Sequence, residues 1–192
     1  MPKIVLASTS PYRRELLARL RLPFAVESPL VDEATLPGEA PREVALRLAQ
    51  AKALAVAARH PQAVVIGADQ VADLDGAALS KPGTHEAALA QLEAMQGRTV
   101  VFHTALAVAG PAGLAADWVD TSVSFRRLSR ERLDAYLRAE QPYDCAGAAK
   151  IESLGIALVE AVQSTDPTAL IGLPLIRLIA MLEAQGIQVP TS

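Results

Sequence analysis

The run Ile4-Val5-Leu6-Ala7 passes through Ser8-Thr9 straight into Ser10-Pro11-Tyr12-Arg13-Arg14, and this junction constrains the fold more than any other stretch. An apolar run beginning at Lys3 and closing at Ala7 predicts a short buried strand. Ser10 is a good helix N-cap and Pro11 a good first helical residue. A helix is therefore expected to about Leu20, with Leu16, Leu17 and Leu20 on its buried face. A strand that becomes a helix within so few residues begins a βα unit, so the chain should be an α/β protein.

Phe24 to Glu27 reads as another strand, and Pro41 opens an Ala-rich helix to about Arg59 with Val44, Leu48, Ala51 and Ala55 on one stripe. Val64-Val65-Ile66 predicts a buried strand leading into Gly67-Ala68-Asp69-Gln70. Val71–Leu74 and Ala77–Leu79 flank Asp75-Gly76, a two-residue hairpin signal. A helix from about Thr84 to Met95 should stop at Gly97. Thr99–Ala109 and Ala115–Arg127 surround Gly110-Pro111-Ala112-Gly113 as a long hairpin with one buried face. Ser129 is placed to cap a helix ending near Glu140, Gly155–Val159 reads as a further strand, and Asp166-Pro167 and Pro174 each start a short helix. Because βα units mix with hairpins, the expected fold is a mixed central β-sheet flanked by helices. It should form one domain over residues 1–192, with room for two lobes around a central cleft.

Composition excludes several kinds of partner. The net charge of −3 provides no basic field to hold polymeric nucleic acid, so phosphate chemistry must come from local clusters of Lys and Arg. Cys145 is the one cysteine, which excludes an internal disulfide and a CxxC metal site. His60, His85 and His103 lack ligand spacing. No segment approaches the roughly 20 apolar residues that span a bilayer, and Ile4–Ala7 is too short for a signal peptide. A cytoplasmic protein is expected.

The candidate chemistry lies in a few clusters. Arg13 and Arg14 fall in the first turn of their helix, beside the positive end of its dipole, where cations are unfavourable. With the Ser8 and Ser10 hydroxyls and the free backbone N–H groups, they form a nest that a phosphate chain would relieve. The alternative is a solvated Arg pair on an amphipathic helix. Asp32-Glu33 lies in a loop between Pro29 and Pro37 and either holds Mg²⁺ or is merely solvated. Lys52 stands at the edge of its helix's apolar stripe, where a lysine ordinarily snorkels. Asp69 follows a buried strand, at the sheet edge where open α/β sheets bind ligands, and Gly67 allows backbone or phosphate to approach closely. Lys81 adds a cation past the hairpin, and Lys150 and Glu152 share one side of an extended segment. Cys145 beside Asp144 lacks a suitably spaced histidine and reads as structural, as does Trp118 in an alternating strand.

Taken together, these segments resemble the Maf family over nearly the whole chain. The matching residues are Ser8-Thr9-Ser10-Pro11-Tyr12-Arg13-Arg14-Glu15-Leu16-Leu17, Val31-Asp32-Glu33, Ala49-Gln50-Ala51-Lys52-Ala53 and Gly67-Ala68-Asp69-Gln70-Val71. They continue with Lys81-Pro82, Cys145-Ala146-Gly147 through Lys150-Ile151-Glu152, and Ile171-Gly172-Leu173-Pro174-Leu175. The resemblance implies a fold like that of inosine triphosphate pyrophosphatases, often seen as a homodimer. It implies hydrolysis of a nucleoside triphosphate to monophosphate and diphosphate with a divalent cation, Mg²⁺ or Mn²⁺. Asp69 matches the family's general base, and Ser8, Arg13, Glu33, Lys52 and Lys81 match its phosphate and metal pocket, with Glu33 and Asp69 as metal ligands.

Tyr12, Gln70 and Glu152 match positions tied to substrate choice in the family. Tyr12 could stack on the positively charged ring of a 7-methylguanine, and Glu152 could accept from its N1–H and 2-amino group. These two residues point to the branch hydrolysing 7-methyl-GTP. The dTTP/UTP branch usually carries a small polar residue and Gln at those positions. A nucleotide-binding regulator of septum formation is the non-enzymatic alternative. Ser153 stands where the family usually has Gly, a departure that bears on pocket shape.

Overall fold

In a computed structural model describing residues 2–190, β1 (Ile4–Ala7) is flanked in parallel by β2 (Phe24–Glu27) and β3 (Val64–Leu74). Met1, Thr191 and Ser192, which belong to the expected domain span, lie outside the described residues. The other pairings are antiparallel. Strand β4 (Ala77–Leu79) folds back on β3, whose other edge takes β5 (Thr99–Gly110), then β6 (Gly113–Phe125) and β7 (Val159–Ser164). The strand order is β2-β1-β3-β5-β6-β7, which is the mixed sheet expected from the sequence.

Helices cover both faces. Helix α1 (Pro11–Ala18) follows β1, and α2 (Pro41–Ala57) precedes β3. The others are α3 (His85–Met95), α4 (Arg130–Glu140) and α5 (Leu175–Ala184). Strand side chains alternate between faces, so the odd-numbered residues of β3 meet α2. Val71, Ala105 and Ala107 pack there against Val44, Leu48, Ala49 and Ala53. The even-numbered residues of β3 face the other layer, whose apolar packing falls into two clusters. Ile66, Ala68 and Leu106 pack with Leu16, Leu17, Leu178 and Leu182. Ala72, Phe102 and Val123 pack with Leu92, Met95, Leu133 and Leu137. Between the clusters, Gln70 and Thr104 stand opposite one another across the β3–β5 ladder.

Three local expectations are corrected. Strand β3 does not end at Ile66, because β5 pairs with it continuously from Val65 to Asp73, which draws Gly67 to Gln70 into the ladder. Residues Leu154–Leu158 form a 3₁₀ turn rather than a strand, and the strand starts at Val159. The cause is a backbone reversal in which Ser153 and Gly155 both donate N–H bonds to the Lys150 carbonyl. A Cβ at Gly155 would lie 2.3 Å from that oxygen. The same reversal means that Lys150 and Glu152 do not share one side of an extended segment.

Candidate active site

Strand β1 ends at Ala7, opposite Gly67, and β4 rejoins β3 only at Ala72. Between those points this edge of β3 has no strand partner, and a cleft of about 830 Å³ opens there. Ser8, Ser10, Tyr12, Arg13, Glu33, Lys52, Asp69, Gln70, Lys81 and Glu152 all line it. Ten of the candidate residues singled out from the sequence thus converge; Arg14, Asp32 and Lys150 are not among the lining residues.

The start of α1 is built as its sequence implies. The Ser10 hydroxyl accepts the Arg13 N–H at 3.4 Å, and the buried Ser8 hydroxyl accepts the Ser10 N–H at 3.1 Å. Arg13 Nε donates to the Gly172 carbonyl at 2.9 Å, which fixes its guanidinium at the cleft. Burial lowers the Arg13 pKa from the ordinary arginine value, against the opposing charges of Asp69 and Glu33. The cation is therefore poorly hydrated and suited to an anionic ligand. Arg14 is exposed on another side of the helix, near Ala18, Leu22 and Phe24. At 3.6 residues per turn, consecutive helical residues diverge by roughly 100°. The expected pair of guanidiniums is therefore a single one.

Helix α2 delivers Lys52. A Cβ at Gly67 would lie 2.3 Å from the Ala49 carbonyl oxygen and 2.6 Å from the Ala53 nitrogen, so only glycine lets α2 settle this closely on β3. The close approach that Gly67 permits is made by helix backbone. Lys52 does not snorkel. It is buried, and its Nζ lies 2.7 Å from Asp69 Oδ1 and 2.6 Å from Glu33 Oε1. Removing an ammonium from water is costly unless it is paired, and two carboxylates pair this one.

Asp69 is 8% exposed, and burial raises its pKa above the usual aspartate value despite the opposing charges of Lys52 and Arg13 and the Lys52 hydrogen bond. Glu33, on an exposed loop, is shifted the other way, first by its hydrogen bond from Lys52. The neighbouring Asp32 accepts the Ala34 N–H at 2.9 Å and shapes that loop. Lys81 is exposed at the mouth, and its charge also lowers the Glu33 pKa.

Around the rest of the cleft, Tyr12 has Lys150 Nζ 5.8 Å from its ring centroid, and Lys150 also pairs with Glu140 at 3.3 Å. Glu152 is exposed at the rim. Cys145 lines the cleft, but burial and Asp144 push its thiol up to about 12, which keeps it protonated and a poor nucleophile. Ser153 is exposed outside the lining, so it does not narrow the cleft.

The sequence reading matched Ile171 to Leu175 to the family but gave the loop between β7 and α5 no part in the site. Backbone carbonyls there hold two cleft side chains: Gly172 takes Arg13, while Ala169 and Leu170 take Gln70. Asp166 ties the loop together, accepting from the Thr168 N–H, the Thr168 hydroxyl and the Ile176 N–H at 2.9, 2.6 and 2.7 Å. Asp166-Pro167 gave a signal, but for a helix start rather than for a carbonyl-presenting turn.

Compared with known proteins, residues 3–185 match the family described as "Maf-like protein". A 7-methyl-GTP pyrophosphatase from Albidiferax ferrireducens is 58% identical over 97% of this chain and 95% of its own. Proteins of the same name from Methylobacillus flagellatus and a Polaromonas species are 59% and 60% identical, covering 98% and 96% of this chain and 100% and 85% of theirs. Among solved structures, a nucleoside-triphosphatase / dITP/XTP pyrophosphatase from Mycobacterium abscessus matches 66% of this chain and 75% of that one. It is 22% identical with a TM-score of 0.43, a likeness too slight to build on.

Proposed function

The chain belongs to the Maf family, and from that footing we propose that it hydrolyses 7-methyl-GTP to 7-methyl-GMP and diphosphate. The observation that carries this reading is the buried Lys52 ammonium held between Asp69 and Glu33, in a cleft that also takes Arg13. The arrangement sets a desolvated base next to cations that suit a triphosphate. The name shared by relatives such as those from Albidiferax ferrireducens and Methylobacillus flagellatus supports the choice of nucleotide.

In the reaction, water attacks the α-phosphorus and the bond from that phosphorus to the bridging oxygen breaks, so diphosphate leaves. Asp69 takes the proton from the attacking water. Its pKa, raised chiefly by burial, makes it a stronger base than an exposed aspartate. Arg13 grips two phosphate oxygens at once, which a lysine cannot do. Lys52 and Lys81 offset charge on the departing diphosphate. The Ser8 and Ser10 hydroxyls orient the turn beneath those phosphates.

Glu33 and Asp69 offer hard carboxylate oxygens on either side of Lys52, a donor set that fits Mg²⁺ or Mn²⁺. Among the described residues no three His, Cys, Asp or Glu side chains gather at one point, so phosphate and water oxygens would complete the ion's shell. When bound, such an ion polarises the phosphate and acidifies water.

At the base end, Tyr12 lines the cleft as a stacking surface for the methylated ring, and Glu152 as an acceptor for its N–H donors. No helix among the described residues is long and apolar enough to cross a membrane. One unpaired cysteine and a nucleotide substrate fit a reducing cytoplasmic setting.

The test is turnover of 7-methyl-GTP, GTP, UTP and dTTP with Mg²⁺ or Mn²⁺ and after chelation. Turnover of 7-methyl-GTP well above the rest, lost with chelator, is expected. Equal or faster hydrolysis of UTP and dTTP would reject the base assignment.

A further inference from the structure

We propose that Thr104 is a positioning residue for substrate choice, locking the Gln70 amide so that it offers the nucleotide an acceptor and no donor. The proposal rests on the functional reading above and concerns a residue outside the cleft lining. Gln70 and Thr104 face each other across the β3–β5 ladder, and Thr104 is fully buried.

Three acceptors surround Gln70 Nε2: Thr104 Oγ1 at 2.8 Å, the Leu170 carbonyl at 3.0 Å and the Ala169 carbonyl at 3.1 Å. The Thr104 hydroxyl spends its own proton on the Ala169 carbonyl at 2.9 Å, so toward Gln70 it can only accept. An amide's oxygen and nitrogen are ordinarily assigned from their surroundings. Here the surroundings leave no choice, because an amide oxygen turned toward two carbonyls and a committed hydroxyl would meet only lone pairs. Every bond in the relay runs one way, from Gln70 N–H to Thr104 and from Thr104 O–H to Ala169.

The opposite end of the amide follows by elimination. Gln70 lines the cleft, and its Oε1 takes no hydrogen bond from any described residue. It is not a buried orphan either, since the unpartnered buried side-chain atom among the described residues is Gln91 Oε1. Gln70 Oε1 therefore presents lone pairs to the nucleotide. It matches an N–H on a base edge or a ribose hydroxyl, and it opposes any group that brings a lone pair of its own. A free glutamine would rotate to suit either; this one is held.

A double-mutant cycle tests the coupling. Thr104→Val keeps the shape and removes the hydroxyl, Thr104→Ser restores it, and Gln70→Met removes the amide. Thr104→Val should raise KM for 7-methyl-GTP about three- to tenfold, the range expected for one hydrogen bond, with kcat within about twofold. Thr104→Ser should recover most of that loss. In the Gln70→Met background, Thr104→Val should have no further effect on KM. Comparing 7-methyl-GTP with its 2′-deoxy form separates base N–H from ribose hydroxyl as the partner. If the effects of Thr104→Val and Gln70→Met simply add, or if Thr104→Val lowers kcat and raises KM for every nucleotide alike together with a fall in Tm, Thr104 is only structural and the proposal falls. An active wild type with an additive cycle refutes this proposal alone. A wild type inactive on 7-methyl-GTP refutes the functional reading, and the cycle is then read on Kd for whichever nucleotide of the panel binds.

Discussion

The Lys52 ammonium sits 2.7 Å from the Asp69 carboxylate, both buried, with Glu33 closing the other side at 2.6 Å. Truncating Lys52 leaves a desolvated carboxylate without its nearest counter-charge. Lys52→Met should therefore move the Asp69 pKa further up and cut kcat/KM for 7-methyl-GTP by about 10² or more, the scale of losing a charge-stabilising group. The acid limb of the pH–rate profile should shift to higher pH. A profile unmoved from wild type would mean that the acid limb does not report Asp69.

Asp69 itself carries a sign that can be checked. Its folded-state pKa lies above its unfolded value, chiefly through burial. It therefore favours the native state at low pH, where it is protonated, and that contribution is lost as pH rises through the folded pKa. Asp69→Asn should abolish turnover by roughly 10² to 10⁴. It should match or exceed the wild type in Tm at pH 7, with the two converging as pH falls toward about 4, the ordinary aspartate range. Thermal unfolding of both proteins across that window decides the point.

Arg13 and Arg14 separate by geometry. Arg14→Ala should leave kcat and KM within about twofold, as for an exposed side chain remote from the site. Arg13→Lys should raise KM by about tenfold or more, because an ammonium cannot both hold the Gly172 carbonyl and grip a phosphate bidentately. Steady-state kinetics of the two variants side by side make the comparison.

Gly67→Ala forces a methyl group against the Ala49 carbonyl and the Ala53 nitrogen, both backbone atoms that can give way only if α2 moves. Overpacking of this kind costs about 1–3 kcal/mol. Because α2 carries Lys52, activity should fall further than stability does. Chemical denaturation paired with kinetics on the surviving native fraction would separate the two losses.

Asp166→Asn removes one acceptor oxygen from a buried group that uses both, one for the Thr168 N–H and hydroxyl and the other for the Ile176 N–H. A destabilisation of about 1–3 kcal/mol is expected from the unmet donors. KM should rise with it, since the same loop presents the carbonyls that hold Arg13 and Gln70.

The parts of this arrangement that were legible in the sequence were those with local causes. Ser10-Pro11 announced α1, and the apolar runs marked β1 and the heart of β3. Lys52 shows where local reasoning stops. Its place beside an apolar stripe suggested a snorkelling side chain, whereas its burial depends on a glycine fifteen residues later and a loop nineteen residues earlier. Only the family resemblance put Lys52 in the pocket. Arg14 was misplaced because a pair adjacent in sequence was treated as adjacent in space. Strand β7 was shifted because most of it is exposed and lacks alternation, while the apolar Gly155–Leu158 stretch that imitates a strand is folded by a contact with Lys150. Thr104 gave no signal, since its role depends on register with Gln70 and on carbonyls more than sixty residues away.

Asp69 and Gln70 are joined by one peptide bond, yet their supports come from opposite layers, α2 for one and the β7–α5 loop for the other. Under the proposed roles, a change beneath Gln70 reaches Asp69 only through the backbone, but it reaches the phosphate grip directly, because the same loop holds Arg13 through the Gly172 carbonyl. One pleat thus ties ligand choice to phosphate grip while leaving the Lys52–Asp69 pair on a separate footing.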